Sequence, residues 1–464
     1  MSEKAFYDIH MHAFNLSHPS LLAFVRRSFK DLAGSRSRPR QTLRLLLVVV
    51  LGVLLGALGI ALLLVSFIPF LQYGVRALSG ALLRSVKRLL RAAANLLVVM
   101  ENDIGSTFLL MEDCLREQEN RLLREDGLRV GGETYRRVVM TPLMMDFGYK
   151  GRQRPGGGRV RRFHYDMRAG KPIVEQVIDV FGAIKTYLET ESTENLQAKF
   201  PALEPGTRRV FEIYPFLAVN PANYTLQKLA QLLEKYFANY TGRRTDLLAN
   251  MGHFDGNIDH LGSHAFAGIK VYPPLGFDPW PEGDEGGMEK ADLLYRTCRE
   301  KGIPLTTHGG RGGFVVVPRR KLDALTAVSK WATVLESYPS LRLNLAHFPT
   351  GRLERKQQQE IVALVLGYGN VYVDVSCRGT SDAYYQGLKA LFDRMPTGDR
   401  EKLTSRILFG SDFAVNLMWI ESYNRYIDIF SRTEAVTPAQ KLAFCSTNPE
   451  RFLFPGETGR AKAV

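Results

Sequence analysis

Cysteine is scarce in this chain, with four in 464 residues, at positions 114, 298, 377 and 445. None of the four stands in a C-x-x-C pair, which argues against a disulfide framework or a structural zinc knuckle and makes a reducing compartment the simpler expectation. Also missing are a G-x-S-x-G elbow, a Walker A loop and a G-x-G-x-x-G placed between strand and helix. A serine nucleophile, ATP and dinucleotides therefore have little support. Acidic residues are nearly absent from one stretch: residues 21–99 hold twelve Lys or Arg against one Asp, a net of +11 out of +14 for the whole chain. The remainder is close to neutral, so no nucleic-acid partner is expected.

What the basic residues flank is an apolar run. Residues 45–75 carry no charge at all. As one helix the run would extend about 46 Å at about 1.5 Å per residue, enough for one crossing of a bilayer core of about 30 Å but not for two. A single crossing would separate the N-terminal strand from its neighbours. Gly52, Gly56, Gly59 and Pro69 would permit a hairpin, and residues 77–100 alternate as a basic amphipathic helix, with Leu82, Val86, Leu89 and Leu90 opposite Arg84, Lys87, Arg88 and Arg91. The expectation is a monotopic or hairpin insertion that docks on anionic lipid through residues 23–100. No secretory leader is expected. Three regions follow: residues 1–22 as a first strand and its connection, 23–125 as the basic hydrophobic helical insertion, and 126–464 as the remainder of the main domain. The protein would be membrane-associated, with that main domain facing the cytoplasm.

Outside that insertion, short apolar segments alternate with helical patterns. Extended segments are expected at 6–12, 137–145, 211–219, 268–272, 303–307, 341–346, 371–375 and 406–409. Helices are expected at 173–188, 224–237, 288–300, 322–335, 355–366, 384–392 and 438–444, and long loops at 151–170 and 242–264. Strands without strong alternation, each followed by a helix, suit an α/β fold with a parallel sheet covered on both faces. Eight of them fit a (β/α)8 TIM barrel with a long hydrophobic helical insertion between strand one and strand two.

His10 and His12 stand two apart on the first strand, so their side chains share a face about 6.6 Å apart, a spacing suited to two imidazoles meeting one ion. His308, His347 and Asp412 follow the fifth, sixth and eighth strands, and the C-terminal strand ends are where this barrel gathers its chemistry. Arg311 and Arg378 could clamp an anion with their guanidinium forks. Tyr272 and Trp280 could line an aromatic pocket, and Asp374 could orient its neighbours. His164, His253, His260 and His264 fall in long loops and are expected to face solvent or to hydrogen-bond within those loops.

With these residues in place the chain resembles the amidohydrolase superfamily, and within it the branch that contains metal-dependent hydrolases and zinc-dependent, cofactor-free decarboxylases. The likeness rests on the segments Asp8-Ile9-His10-Met11-His12, Gly268-Ile269-Lys270-Val271-Tyr272-Pro273, Thr307-His308-Gly309, Leu345-Ala346-His347 and Ile407-Leu408-Phe409-Gly410-Ser411-Asp412, with Asn448-Pro449-Glu450-Arg451-Phe452 as a closing element. It implies that His10, His12, His308 and Asp412 bind one divalent metal, with zinc the first choice. It further implies that Asp412 shuttles a proton and that His347 touches the substrate or the attacking water. Lys270 would bridge two metals as a carbamate, bind a substrate carboxylate, or form an ion pair. The implied activity is hydrolysis of an amide, lactone or other ester. The alternatives are decarboxylation of an aromatic or enoic acid and a non-catalytic membrane-attached scaffold. The partners expected are a small-molecule substrate, apolar or carboxylated, together with anionic lipid; a homo-oligomer is left open.

Overall fold

The structure, a computed structural model, describes residues 4–15, 17–18, 99–117, 121–148, 171–250, 253–310, 312–315 and 317–456. Its strands are β1 (Ala5–His12), β2 (Leu123–Arg124), β3 (Gly127–Val130), β4 (Glu133–Tyr135), β5 (Arg137–Leu143), β6 (Phe211–Ile213), β7 (Phe216–Ala218), β8 (Gly268–Val271), β9 (Leu305–Thr307), β10 (Leu343–Leu345), β11 (Val371–Asp374) and β12 (Ile407–Leu408). Eight of them run in parallel in the order β1-β5-β7-β8-β9-β10-β11-β12, and β6 pairs with β5 just before the extended segment is interrupted at Tyr214 and Pro215 and resumes as β7. Backbone bonds from Ile9 N to Phe409 O (3.1 Å) and from Asp412 N to His10 O (2.6 Å) join the two ends of this order. The result is a (β/α)8-like parallel barrel, as the alternating pattern predicts. A small antiparallel sheet, β2-β3-β4, precedes β5.

One irregularity decides where the chemistry points. β1 pairs with β5 in register up to Asp8 opposite Met140 and resumes at Met11 opposite Pro142, so Ile9 and His10 share the single partner Thr141. This is a β-bulge, and a bulge shifts the in-out alternation by one. Tyr7 and Ile9 belong to an apolar cluster with Val139, Phe216, Leu408, Phe452, Leu453 and Phe454. Past the bulge, His10 turns towards Asp374 instead of continuing outward.

Helices Ile173–Glu189, Leu226–Phe237, Glu285–Lys301, Arg355–Gly367 and Asp382–Phe392 lie close to their expected positions. The helix expected at 322–335 is two, Arg319–Leu325 and Val328–Ser337, with Thr326 at the break. The loop expected at 242–264 contains the short helix Arg244–Asn250 and a turn at Ile258–Leu261. Helices Thr397–Thr404 and Tyr423–Arg432 were not expected from the sequence.

The membrane expectation needs correction. Among the described residues, no helix is long and apolar enough to cross a membrane. The apolar run at 45–75, the amphipathic stretch at 77–98 and the loop at 151–170 lie outside the described residues. Within the region assigned to the insertion, helix Ile104–Arg116 buries most of its side chains and packs on helices Ile173–Glu189 and Tyr423–Arg432. Its Glu112 accepts from the Tyr187 hydroxyl at 2.7 Å and pairs with Arg116 at 2.9 Å. A helix capped by Asp103 and packed in this way belongs to the protein core, because its apolar face is already covered. The anionic-lipid partner, the homo-oligomer left open beside it and the membrane-associated localisation are therefore withdrawn; the small-molecule substrate stands.

Candidate metal centre

Every side chain of the site comes from the C-terminal end of a barrel strand. His10 and His12 end β1, Lys270 lies in β8, His308 follows β9 and His347 follows β10. Asp374 ends β11, Ser376 comes two residues later, and Asp412 follows β12. All eight are buried. His10, His347 and Asp412 each offer a ligand atom, and these atoms lie within 4.8 Å of one another. His10 Nε2 is 3.5 Å from Asp412 Oδ1, and His12 Nε2 is 3.0 Å from the same oxygen. His308 joins through His347, with Nδ1 of the first 3.1 Å from Nε2 of the second.

The hydrogen bonds fix which nitrogens are free. His10 Nδ1 donates to Asp374 Oδ2 at 3.0 Å, so its Nε2 carries the lone pair. His347 Nδ1 faces the Ser376 carbonyl at 3.1 Å, so its Nε2 is also an acceptor, taking the bond from His308. Asp374 is the hub. It accepts from His10 and from Asn344 Nδ2 (2.7 Å), His347 N (3.0 Å), Ser376 N (3.1 Å) and the Ser376 hydroxyl. Asp8 anchors the other side, accepting from His10 N (3.2 Å), Ser411 N (2.9 Å) and the Tyr423 hydroxyl (3.0 Å).

Burial sets the charges. It drives His10 down to about 3, with the Lys270 charge adding to the effect, and Asp374 opposing it. His308 and His347 are lowered first by burial as well. These three imidazoles are thus neutral at physiological pH, as ligands must be. Burial alone would raise Asp374 and Asp412, but their imidazole neighbours hold both well below the usual carboxylate range. Lys270 is pushed down to about 8 by burial, with Asp374 and Asp412 opposing.

The backbone is strained at the same place. His347, Cys377 and Asp412 have φ of 66°, 62° and 63°, and no other non-glycine residue among those described has positive φ. Each costs about 1–3 kcal/mol, which the surrounding structure must absorb. Gly410 is required for a different reason: a Cβ there would stand 2.6 Å from His10 Cβ and 3.2 Å from Ser376 Cβ. Gly410→Ala is expected to displace the His10 side chain and lower bound metal in elemental analysis; unchanged metal content would show that the strand can yield.

The remaining expected residues fall out differently. Tyr272 stacks on the His308 ring at 4.2 Å, and its hydroxyl accepts from Phe314 N at 3.2 Å, so it shapes the site. The Arg378 guanidinium, expected as an anion clamp, is held by Glu354 at 2.8 and 3.4 Å. Trp280 packs at the edge of the core, with its backbone bonded to Asp278 and Lys330, and makes no ring contact with a site residue. Arg311 lies outside the described residues. Asp8, Asn344 and Ser376 were given no role from the sequence. Asp8 and Asn344 had one available signal, a polar side chain within an otherwise apolar strand, which burial makes costly unless it is bonded.

Residues 226–454 match the family model described as Amidohydrolase. The chain belongs to the amidohydrolase superfamily. The match begins after β7, so the first-strand histidines of this amidohydrolase stand outside it. Membership carries metal-dependent hydrolase or lyase chemistry in general terms, and the non-catalytic scaffold is set aside. No curated protein matches the chain. Among solved structures, it is similar to a 4-oxalomesaconate hydratase from Rhodopseudomonas palustris, with 14% identity over 70% of this chain and 78% of that one and a TM-score of 0.36. A 5-carboxyvanillate decarboxylase from Novosphingobium aromaticivorans gives 12% identity, coverage of 75% and 92%, and a TM-score of 0.34. A probable 2-pyrone-4,6-dicarboxylic acid hydrolase from Acinetobacter baumannii gives 11%, coverage of 69% and 84%, and 0.34.

Proposed function

We propose that this amidohydrolase cleaves an ester, lactone or amide with the help of one divalent cation, zinc being the chemically preferred ion. His10, His12 and Asp412 would hold it, with the His308–His347 pair supplying a further nitrogen. The observation that carries this reading is a set of buried atoms with no hydrogen-bond partner: His10 Nε2, His308 Nε2 and Asp412 Oδ1. Two lone-pair nitrogens and a carboxylate oxygen, left unpaired in the interior, are costly without a cation to face. A nitrogen-and-oxygen donor set suits zinc, with manganese and iron as neighbours in preference. When bound, such an ion polarises a carbonyl and makes water a stronger acid.

The chain's own groups supply the rest. Asp412 takes a proton from the attacking water and returns it to the leaving group. His347 Nε2 already accepts from His308, so His347 orients that imidazole and does not itself feed a proton to the developing oxyanion. That charge falls to Lys270, whose Nζ is buried and has no hydrogen-bond partner. The same unpaired ammonium favours a second reading, in which an aromatic or enoic acid binds by its carboxylate and loses carbon dioxide. Against it, the commitment of Arg378 to Glu354 removes one of the two arginine clamps that reading would use.

The test begins with the purified protein and its His10→Ala/His12→Ala variant. Elemental analysis should find about one divalent ion per wild-type chain and a large loss in the variant; equal metal in both would sink the site. A screen of aryl esters, lactones and amides against aromatic and enoic acids then separates hydrolysis from release of carbon dioxide.

A further inference from the structure

A second concavity lies beyond the His347 loop, and the chemistry above makes no use of it. Thr350, Gly351 and Arg352 of the loop after β10, Arg355 and Gln358 from the start of helix Arg355–Gly367, and Arg394 just past helix Asp382–Phe392 line a cavity of about 450 Å³. That volume is within the range of small-molecule sites, about 300–1,000 Å³. Three arginines from two segments line it, and no carboxylate is among its lining residues.

Surface arginines commonly find an acid, and here the nearby acids are already engaged. Glu354 is held by Arg378 at 2.8 Å, Asp393 by Lys389 at 2.6 Å and Glu360 by Lys356 at 3.8 Å. The guanidinium groups of Arg352, Arg355 and Arg394 make no ion pair or hydrogen bond to any described residue. The wall is also built to keep its shape. Gln358 is 6% exposed and donates from Nε2 to Pro349 O at 2.7 Å, while the Tyr384 hydroxyl donates to Phe348 O at 2.9 Å. A Cβ on Gly387 would come 3.0 Å from the Thr350 side chain, so the helix seats tightly against the loop. The positive end of helix Arg355–Gly367 opens here, and its N-cap residue Glu354 makes no side-chain capping bond.

We infer that this concavity binds the phosphate group of a small phosphorylated molecule, at a site separate from the metal centre. Planar guanidinium forks match the oxygens of a phosphate, and three of them around one hollow neutralise its charge from several sides. A nucleic-acid surface would instead need basic residues spread along a stripe that follows a backbone. The three arginines converge on a single cavity.

Calorimetric titration of the full chain with inorganic phosphate, at constant ionic strength with chloride as the reference anion, tests this. Wild type should bind phosphate saturably, and Arg352→Ala/Arg394→Ala should weaken binding by about tenfold or more with metal content unchanged. Arg352→Lys/Arg394→Lys keeps the charge without the fork and should fall between the two; it also serves if the alanine pair fails to fold. No saturable response beyond chloride would overturn the inference. So would undiminished binding in the variants, which would put the phosphate at the metal centre. Tighter, arginine-dependent binding of a short single-stranded oligonucleotide than of phosphate would likewise overturn it.

Discussion

Asp412→Asn is expected to lower turnover by about 10²–10⁴-fold while leaving the fold in place. The substitution is close to isosteric and keeps an oxygen where Oδ1 now stands 3.0 Å from His12 Nε2 and 3.5 Å from His10 Nε2. Asparagine also tolerates the φ of 63° found at this position, where most residues would add strain. The turn itself should survive, because its bonds from Asn416 N to Asp412 O (3.1 Å) and from Asn416 Nδ2 to Ser411 O (2.9 Å) do not involve the carboxylate. What the amide cannot do is accept and return a proton. The measurement is kcat on the best substrate from the screen, with metal content and thermal unfolding measured in parallel. A variant within about tenfold of wild type, with metal retained, would remove Asp412 from proton transfer.

Asp374→Ala should bring the largest loss of stability of any single change at the site. Its carboxylate accepts from two backbone amides, two side chains and an imidazole, all of them buried. Truncation would leave those buried donors without their acceptor, at about 1–3 kcal/mol for each one left unsatisfied. Denaturant unfolding gives the number directly, and a change below about 1 kcal/mol would mean that water replaces the carboxylate at little cost. Asp374→Asn is the gentler companion. It keeps the volume but presents an amide N–H where an acceptor is needed, so His10 loses the partner that sets its tautomer. Metal affinity should fall by about 10–100-fold, the usual effect of losing a group that orients a metal-binding histidine.

The architecture was largely legible because each barrel strand is an apolar run closed by a residue of another kind: His12 on β1, His308 after β9, His347 after β10, Asp412 after β12. Periodicity alone put both first-strand histidines on one face, and this much was readable. The bulge at Ile9 and His10 was not, since it depends on pairing with Thr141 and on the close approach that Gly410 allows. Lys270 stood out as a charge inside an apolar strand. Asp8 and Asn344 did so less, because a single polar atom in a short strand reads equally well as an edge. Ser376 acts through a carbonyl and a hydroxyl that only tertiary contact brings to His347. Nor does the sequence show that the Arg378 guanidinium is bonded to Glu354, twenty-four positions earlier. Helix Tyr423–Arg432 escaped notice because its four tyrosine and isoleucine side chains are separated by Asn424, Arg425 and Asp428, which packing against its neighbours accommodates.

The seam between β1 and the turn after β12 also fixes when the metal centre can come into being. Ser411 N bonds Asp8 Oδ1 across 403 positions of sequence, and Asp412 N bonds the His10 carbonyl directly. During synthesis at about 5–20 residues per second, the first strand waits on the order of 20–80 s for its last neighbour to be made. Phe452, Leu453 and Phe454, which share the cluster of Tyr7 and Ile9, arrive later still. The candidate ion site therefore cannot assemble until the turn after β12 has been made, so any metal uptake there would follow synthesis of the last barrel strand and not accompany that of the first.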